Sequence, residues 1–132
     1  MPAKAYLGNR RSMVFPGFKL YMDQLADQMM LQFDGVSVLK KANIYFDGKC
    51  ISRLVLFQDG SRATLGVLFP SKLNFDTKRR ETMEIVAGVC RVRMSGSDKW
   101  DTYAAGERFV VSENSSFEIE VQEPTEYVCH YH

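Results

Sequence analysis

Hydrophobic and polar positions follow two different periods along this chain, and the change between them divides it. Phe18, Met22, Leu25, Met29 and Phe33 recur at spacings of four, three, four and four, with Asp23, Gln24, Asp27 and Gln28 between them. That spacing predicts an amphipathic α-helix whose single apolar face docks on a core or on a second subunit. Upstream, Pro2, Gly8, Pro16 and Gly17 break any regular element. Residues 1–35 are therefore read as an N-terminal arm and short helix, and residues 36–132 as a separate domain. A second reading of the same segment places the natural start of translation at Met30.

From Asn43 onward the helical period gives way to alternation. Phe117, Ile119 and Val121 oppose Glu118, Glu120 and Gln122, and Cys90, Val92 and Met94 oppose Arg91 and Arg93. Short runs of this kind are predicted at 49–57, 62–69, 72–75, 82–86, 89–94, 100–103, 107–111, 116–122 and 126–131. Asp59-Gly60, Pro70, Ala87-Gly88, Ser95-Gly96-Ser97-Asp98, Glu113-Asn114 and Glu123-Pro124 separate them as turns, and the serine-rich turn closes a hairpin. Nine short strands with no βαβ rhythm predict an all-β sandwich or small barrel.

Composition narrows the function classes. A chain of 132 residues with 45% hydrophobic and 25% charged residues holds one ordinary domain and is neither collagen-like, coiled-coil nor largely disordered. No apolar run approaches the ~20 residues that span a bilayer. Seventeen Lys+Arg against sixteen Asp+Glu leave a net charge of +1, so there is no electrostatic footprint for nucleic acid or for a membrane surface. The first twenty-two positions carry Lys4, Arg10, Arg11 and Lys19 without an acid, yet they lack the apolar centre of a signal peptide and are poor in serine. Cys50, Cys90 and Cys129 lie far apart with no CxxC pair, which predicts reduced thiols in a cytoplasmic protein. Both histidines lie in the last three residues, which argues against a multi-histidine metal site.

The stretch from Lys78-Arg79-Arg80 through Glu81 to Gly88, continued by the run at 89–94, resembles the first half of a cupin motif. In that family two histidines and a glutamate bind a metal inside a jelly-roll barrel. Counted back from Gly88, the glutamate position is Glu81, but the histidine positions fall on Phe75 and Thr77. In the second half of the motif, resembled by residues 106–117, the histidine position is Phe117. One carboxylate cannot supply a three- or four-ligand set, so no metal is expected.

The whole core carries a more specific resemblance. Asn43-x-Tyr45-Phe46-x-Gly48-Lys49, Arg62-Ala63-x-x-Gly66-Val67, Glu81-x-Met83-x-x-x-x-Gly88, Trp100 and Glu123-Pro124-Thr125-x-Tyr127-x-Cys129-x-Tyr131 are similar to the small pyrimidine/purine nucleoside phosphorylases. These are single-domain cupins without the cupin metal ligands, and the resemblance spans residues 31–131. The chain departs from family members that have neutral or acidic residues at 78–80 and an arginine at 130.

The resemblance implies a cupin-like jelly-roll β-barrel that splits purine and pyrimidine nucleosides with inorganic phosphate, giving free base and pentose-1-phosphate. Phosphate would be the co-substrate, no cofactor would be needed, and the protein would be a homodimer. The open sheet edges and the spare apolar face of the helix also suggest a second copy. Phosphate calls for Arg or Lys. Arg62 is the first candidate and Lys49 the second, while Arg79 and Arg80 read as a solvated face. Glu81 shares a strand face with Met83, so its carboxylate points into an apolar barrel unless paired; it is read as holding ribose hydroxyls or pairing with Arg62. Tyr45, Phe46, Phe75, Phe109, Phe117, Tyr127 and Tyr131 offer rings for the base. Cys129 reads as a small buried hydrophobe, since no histidine on its face activates it. His130, His132 and Glu84 read as surface groups. Two other readings stay open: a non-catalytic cupin that binds a small ligand, and a metal-free sugar isomerase or epimerase, which needs a His or Tyr acid/base dyad in the barrel.

Overall fold

Alternation fixes which side of each strand is buried, and in a computed structural model of the protein the strands stack into two sheets on that basis. The chain divides into Met1–Val36 and Ser37–His132. The structure describes residues 31–132, so the predicted helix from Phe18 to Phe33 lies outside the described residues apart from residues 31–33, which are not helical. In the described part of the first unit, Gln32 Nε2 donates to Asp34 Oδ1 at 2.7 Å.

Ser37–His132 carries eleven strands: β1 Ser37–Val38, β2 Asn43–Tyr45, β3 Cys50–Leu56, β4 Arg62–Leu68, β5 Ser71–Asp76, β6 Glu81–Ala87, β7 Val89–Met94, β8 Asp101–Ala104, β9 Arg108–Val111, β10 Ser116–Val121 and β11 Thr125–Tyr131. The nine predicted strands are all present, with no end shifted by more than one residue. The larger sheet runs β1-β3-β4-β11-β6-β9, with β2 also on β3, and the smaller runs β5-β10-β7-β8. All pairings are antiparallel. The architecture is the cupin-like jelly roll that the resemblance implied.

Turn residues do two different jobs. Asp59-Gly60 closes the β3–β4 hairpin: Gly60 N–H donates to Phe57 O at 3.1 Å, and Asp59 Oδ1 accepts the Ser61 N–H at 2.9 Å. Pro70 and Gly88 instead mark places where the chain leaves the larger sheet for the smaller one. At Gly88 a Cβ would sit 2.6 Å from Thr125 Oγ1 and 2.9 Å from the Pro124 carbonyl, and φ is +85°. Only glycine fits that corner.

The core lies between the sheets. Met83, Ile85, Cys90, Val92, Phe109, Val111, Phe117, Ile119 and Val121 are buried in it. The outer face of the smaller sheet is a charge ladder. Arg91 Nη2 lies 2.8 Å from Glu120 Oε1, Arg93 pairs with Glu118, and Lys72 Nζ is 3.9 Å from Glu118 Oε2. The two arginines are directly opposite their glutamates across β7 and β10, and Lys72 reaches Glu118 diagonally from β5, so the alternation seen in the sequence is also an electrostatic pairing.

Candidate functional site

Register places the site. Glu81 pairs with Tyr131, Met83 with Cys129 and Ile85 with Tyr127 across β6 and β11. On the other side of β11, Tyr127 pairs with Gly66 and Cys129 with Thr64, and His130 pairs with Ala63. Arg62, next to Ala63, therefore stands beside Tyr131. Arg62, Tyr131 and Glu81 form one row across three strands, with Thr64, Cys129 and Met83 in the row beneath. Neighbouring strands are about 4.8 Å apart, so the backbones carrying Arg62 and Glu81 are separated by about 10 Å.

These rows line a cavity of about 630 Å³, a size suited to a small-molecule ligand. Of the residues singled out from sequence, Arg62, Glu81, Tyr45, Phe46, Phe75, Met83, Phe117, Tyr127 and Tyr131 line it. Two do not. Lys49 is exposed just beyond a tight left-handed turn, where Phe46, Asp47 and Gly48 have φ of 53°, 53° and 86°. That turn swings Phe46 to the cavity and leaves Lys49 outside the lining. Phe109 is buried behind the wall: it packs on Tyr103 at 4.8 Å and edge-on against Phe117 at 5.8 Å. It supports Phe117 from the core side.

The aromatic wall follows from that packing. Phe75 and Phe117 are stacked at 5.6 Å with an interplanar angle of 19°, and Phe46 meets Phe75 edge-on at 5.2 Å. Phe75 and Phe117 hold two of the positions where metal-binding cupins carry histidine. The third, Thr77, is buried and donates to the Ser112 carbonyl at 2.6 Å. Among the described residues no three His, Cys, Asp or Glu side chains are grouped to hold a metal ion.

A polar network crosses the floor. Thr64 Oγ1 lies 3.2 Å from Tyr131 Oη, and Cys50 Sγ lies 3.4 Å from Tyr127 Oη. Cys129 stands between Glu81, Tyr131 and Thr64. Burial, and the Glu81 charge after it, pushes the Cys129 thiol up to about 12. Desolvation raises the Glu81 carboxyl above its ordinary range, and a hydrogen bond from Cys129 offsets part of that rise. Tyr127 and Tyr131 are both raised, chiefly by burial. Among the described residues Glu81 and Arg62 make no ion pair, with each other or with a third group.

Sequence reasoning did not single out Lys41, Asn43, Ser52, Thr64, Asn74 or Asp76, all of which line the cavity. Ser52 and Thr64 were legible from alternation within β3 and β4. Asn43 was already part of the quoted resemblance. Lys41 had no local signal. Outside the cavity, His130 Nε2 lies 3.6 Å from Glu84 Oε1 on the opposite face of the larger sheet, so Glu84 is partnered rather than free in solvent.

A family model for pyrimidine/purine nucleoside phosphorylase matches residues 40–131. The chain belongs to that family. A pyrimidine/purine nucleoside phosphorylase of Cupriavidus pinatubonensis is 65% identical over 100 residues, covering 76% of this chain and 95% of its own. Among solved structures, a protein of unknown function from Acinetobacter sp. ADP1 superposes with a TM-score of 0.76 at 47% identity, covering 77% of this chain and 99% of its own. A putative ethanolamine utilization protein Q of Salmonella typhimurium LT2 is 15% identical, with a TM-score of 0.56 over 69% of this chain and 78% of its own. That likeness extends the family's fold to the wider cupin-like group. The family's matched span contains every residue of the Arg62–Tyr131–Glu81 row.

Proposed function

We propose that the barrel is a broad-specificity nucleoside phosphorylase that cleaves purine and pyrimidine nucleosides with inorganic phosphate, without a metal. One observation carries this reading: a cation and a carboxyl face one cavity from either side of Tyr131 and are not paired with each other. A ligand with an anionic end and a hydroxyl-bearing end spans that gap. Phosphate beside a ribose, and the pentose-1-phosphate that forms from them, have this shape.

In the proposed reaction a phosphate oxygen forms a bond to the anomeric carbon. The C–N bond breaks, its electron pair leaves with the base, and the base takes up a proton. Positive charge builds on the sugar in between, so the enzyme must hold phosphate close and stabilise that charge. Arg62 orients phosphate by charge-assisted hydrogen bonds. Glu81, when ionised, accepts from ribose hydroxyls and opposes the charge on the ring. The Phe46–Phe75–Phe117 wall stacks the base through its faces, and Tyr45, Tyr127, Tyr131 and Met83 complete the pocket. Stacking does not distinguish one base edge from another, which supports tolerance of purines and pyrimidines alike.

The protein acts as a homodimer in the cytoplasm. Val38, Leu39 and Ile44 are exposed along the strands at the β3 edge, which supports pairing with a second copy. Three buried free cysteines support a reducing compartment. No helix among the described residues is long and apolar enough to cross a membrane.

The test is product analysis with uridine, inosine and adenosine, with and without phosphate, in the presence of a chelator. Base release only with phosphate supports the reading. Release without phosphate means hydrolysis, and no release from folded protein means a ligand-binding barrel.

A further inference from the structure

The edge of the larger sheet contains an irregularity at the cavity mouth. Ser37 and Val38 of β1 pair with Leu56 and Val55 of β3, and the Leu39 N–H continues that ladder to the Leu54 carbonyl at 3.0 Å. The next pair is Asn43 of β2 with Ser52. Lys40, Lys41 and Ala42 on one strand therefore oppose only Arg53 on the other. The extra residues bow off the edge, and Arg53 Nε ties the bow down by donating to the Lys40 carbonyl at 3.4 Å. Bulges of this kind re-aim side chains next to active sites.

The side chain re-aimed here is a cation. Lys41 lines the cavity, whereas its neighbour Lys40 does not, and among the described residues the lining includes no cation besides Lys41 and Arg62. Among the described residues Lys41 makes no ion pair. Lys41 and Arg62 reach the one cavity from the two sides of β3: Leu39, at the start of the bow, is bonded to Leu54 on one side, and Arg62 pairs with Leu56 on the other. An anion held by Arg62 alone would be under-neutralised, because a phosphate group carries about −1.5 to −2 charges at neutral pH.

We propose that the bulge at Lys40–Ala42 turns Lys41 into the cavity as the second cation of the phosphate subsite, completing with Arg62 the site that Lys49 was expected to serve. This rests on the phosphorolysis reading and deepens it. Arg53 is a positioning residue: it fixes the bow through the Lys40 carbonyl and does not touch the anion.

The test compares phosphate and nucleoside dependence of base release in wild type, Lys41→Ala, Lys41→Arg, Arg53→Ala and Lys40→Ala. Lys40→Ala removes the same charge one residue away and outside the lining. Losing one charge-assisted contact to phosphate corresponds to about a tenfold rise in the KM for phosphate for Lys41→Ala. The nucleoside KM should change by less than about twofold, Lys41→Arg should recover most of the loss, and Lys40→Ala should match wild type, since rim charges outside the contact act weakly. Arg53→Ala should raise the phosphate KM with kcat little changed. Melting temperatures with and without inorganic phosphate give a second readout that needs no turnover: phosphate should stabilise wild type and Lys40→Ala more than Lys41→Ala. A phosphate KM for Lys41→Ala near that of wild type overturns the proposal, as does an equal rise in Lys40→Ala, which would mean a diffuse field. If wild type itself releases base without needing phosphate, the phosphorolysis reading fails instead.

Discussion

The ring of Tyr127 lies directly across Gly66, its register partner on β4, so closely that a Cβ at position 66 would overlap the phenol. Gly66 is glycine here for want of space, since its backbone has no positive φ. The absent side chain lets Tyr127 lie flat on the cavity floor, with its hydroxyl 3.4 Å from Cys50 Sγ. Gly66→Ala forces the ring up into the cavity or the strands apart. Overpacking of this kind costs about 1–3 kcal/mol, so denaturant unfolding should show a loss in that range. Adding Tyr127→Leu should return part of it, as expected for two residues in contact.

Glu81 links the site to pH. Its carboxyl is raised by desolvation, so the protonated form is favoured in the fold relative to the unfolded chain. Stability from this group is full below its unfolded pKa and is lost as pH rises through the raised folded value. Denaturation at several pH values should therefore show Glu81→Gln gaining on wild type as pH passes upward through that range. Activity should run the other way. Glu81 works ionised, so the acid limb of kcat/KM should lie above the ordinary carboxylate range and disappear in Glu81→Gln along with most of the activity.

The cysteines should be inert. Cys129 is held up to about 12 and Cys90 up to about 11, both chiefly by burial, and Cys50 is raised for the same reason. The thiolate is the reactive form. A disulfide reagent should label no thiol quickly in folded protein and all three after denaturation. Rapid labelling of Cys129 with loss of activity would contradict this placement.

Trp100 is the chain's single tryptophan. It sits at 4.9 Å from Arg91 and 5.1 Å from Lys72 and from Arg93, over the charge ladder of the smaller sheet. Cation–π contacts at partly exposed sites contribute about 0.5–1 kcal/mol each. Trp100→Ala should lower stability by about 1–2 kcal/mol while leaving activity within about twofold of wild type, because none of these residues lines the cavity. Thermal unfolding and the phosphorolysis assay check the two halves of this prediction.

Much of the barrel was legible because its strands face water on one side. Phe117, Ile119 and Val121 against Glu118 and Glu120 show both the element and its buried side. Two strands left no such trace. β1 and β2 hold two and three residues at an exposed edge, where neither side is fully buried. The turn at Ala87-Gly88 was visible, but a glycine with positive φ serves a sheet-to-sheet corner as well as a hairpin. The same limits govern the site. Glu81 and Tyr131 could be placed by counting in twos. Lys41 could not, because the bulge that turns it inward breaks the period by which inward residues are recognised. Lys49 lies outside the lining for the opposite reason: Phe46 and Asp47, ahead of Gly48, take left-handed backbone that neither residue type announces.

Phosphorus NMR during turnover of a nucleoside tests the central claim most directly. Inorganic phosphate should disappear as pentose-1-phosphate appears, one for each base released, in chelator-treated protein, and Arg62→Ala should slow both together at limiting phosphate. Base release with no sugar phosphate formed, or Arg62→Ala retaining wild-type rates at limiting phosphate, would contradict it.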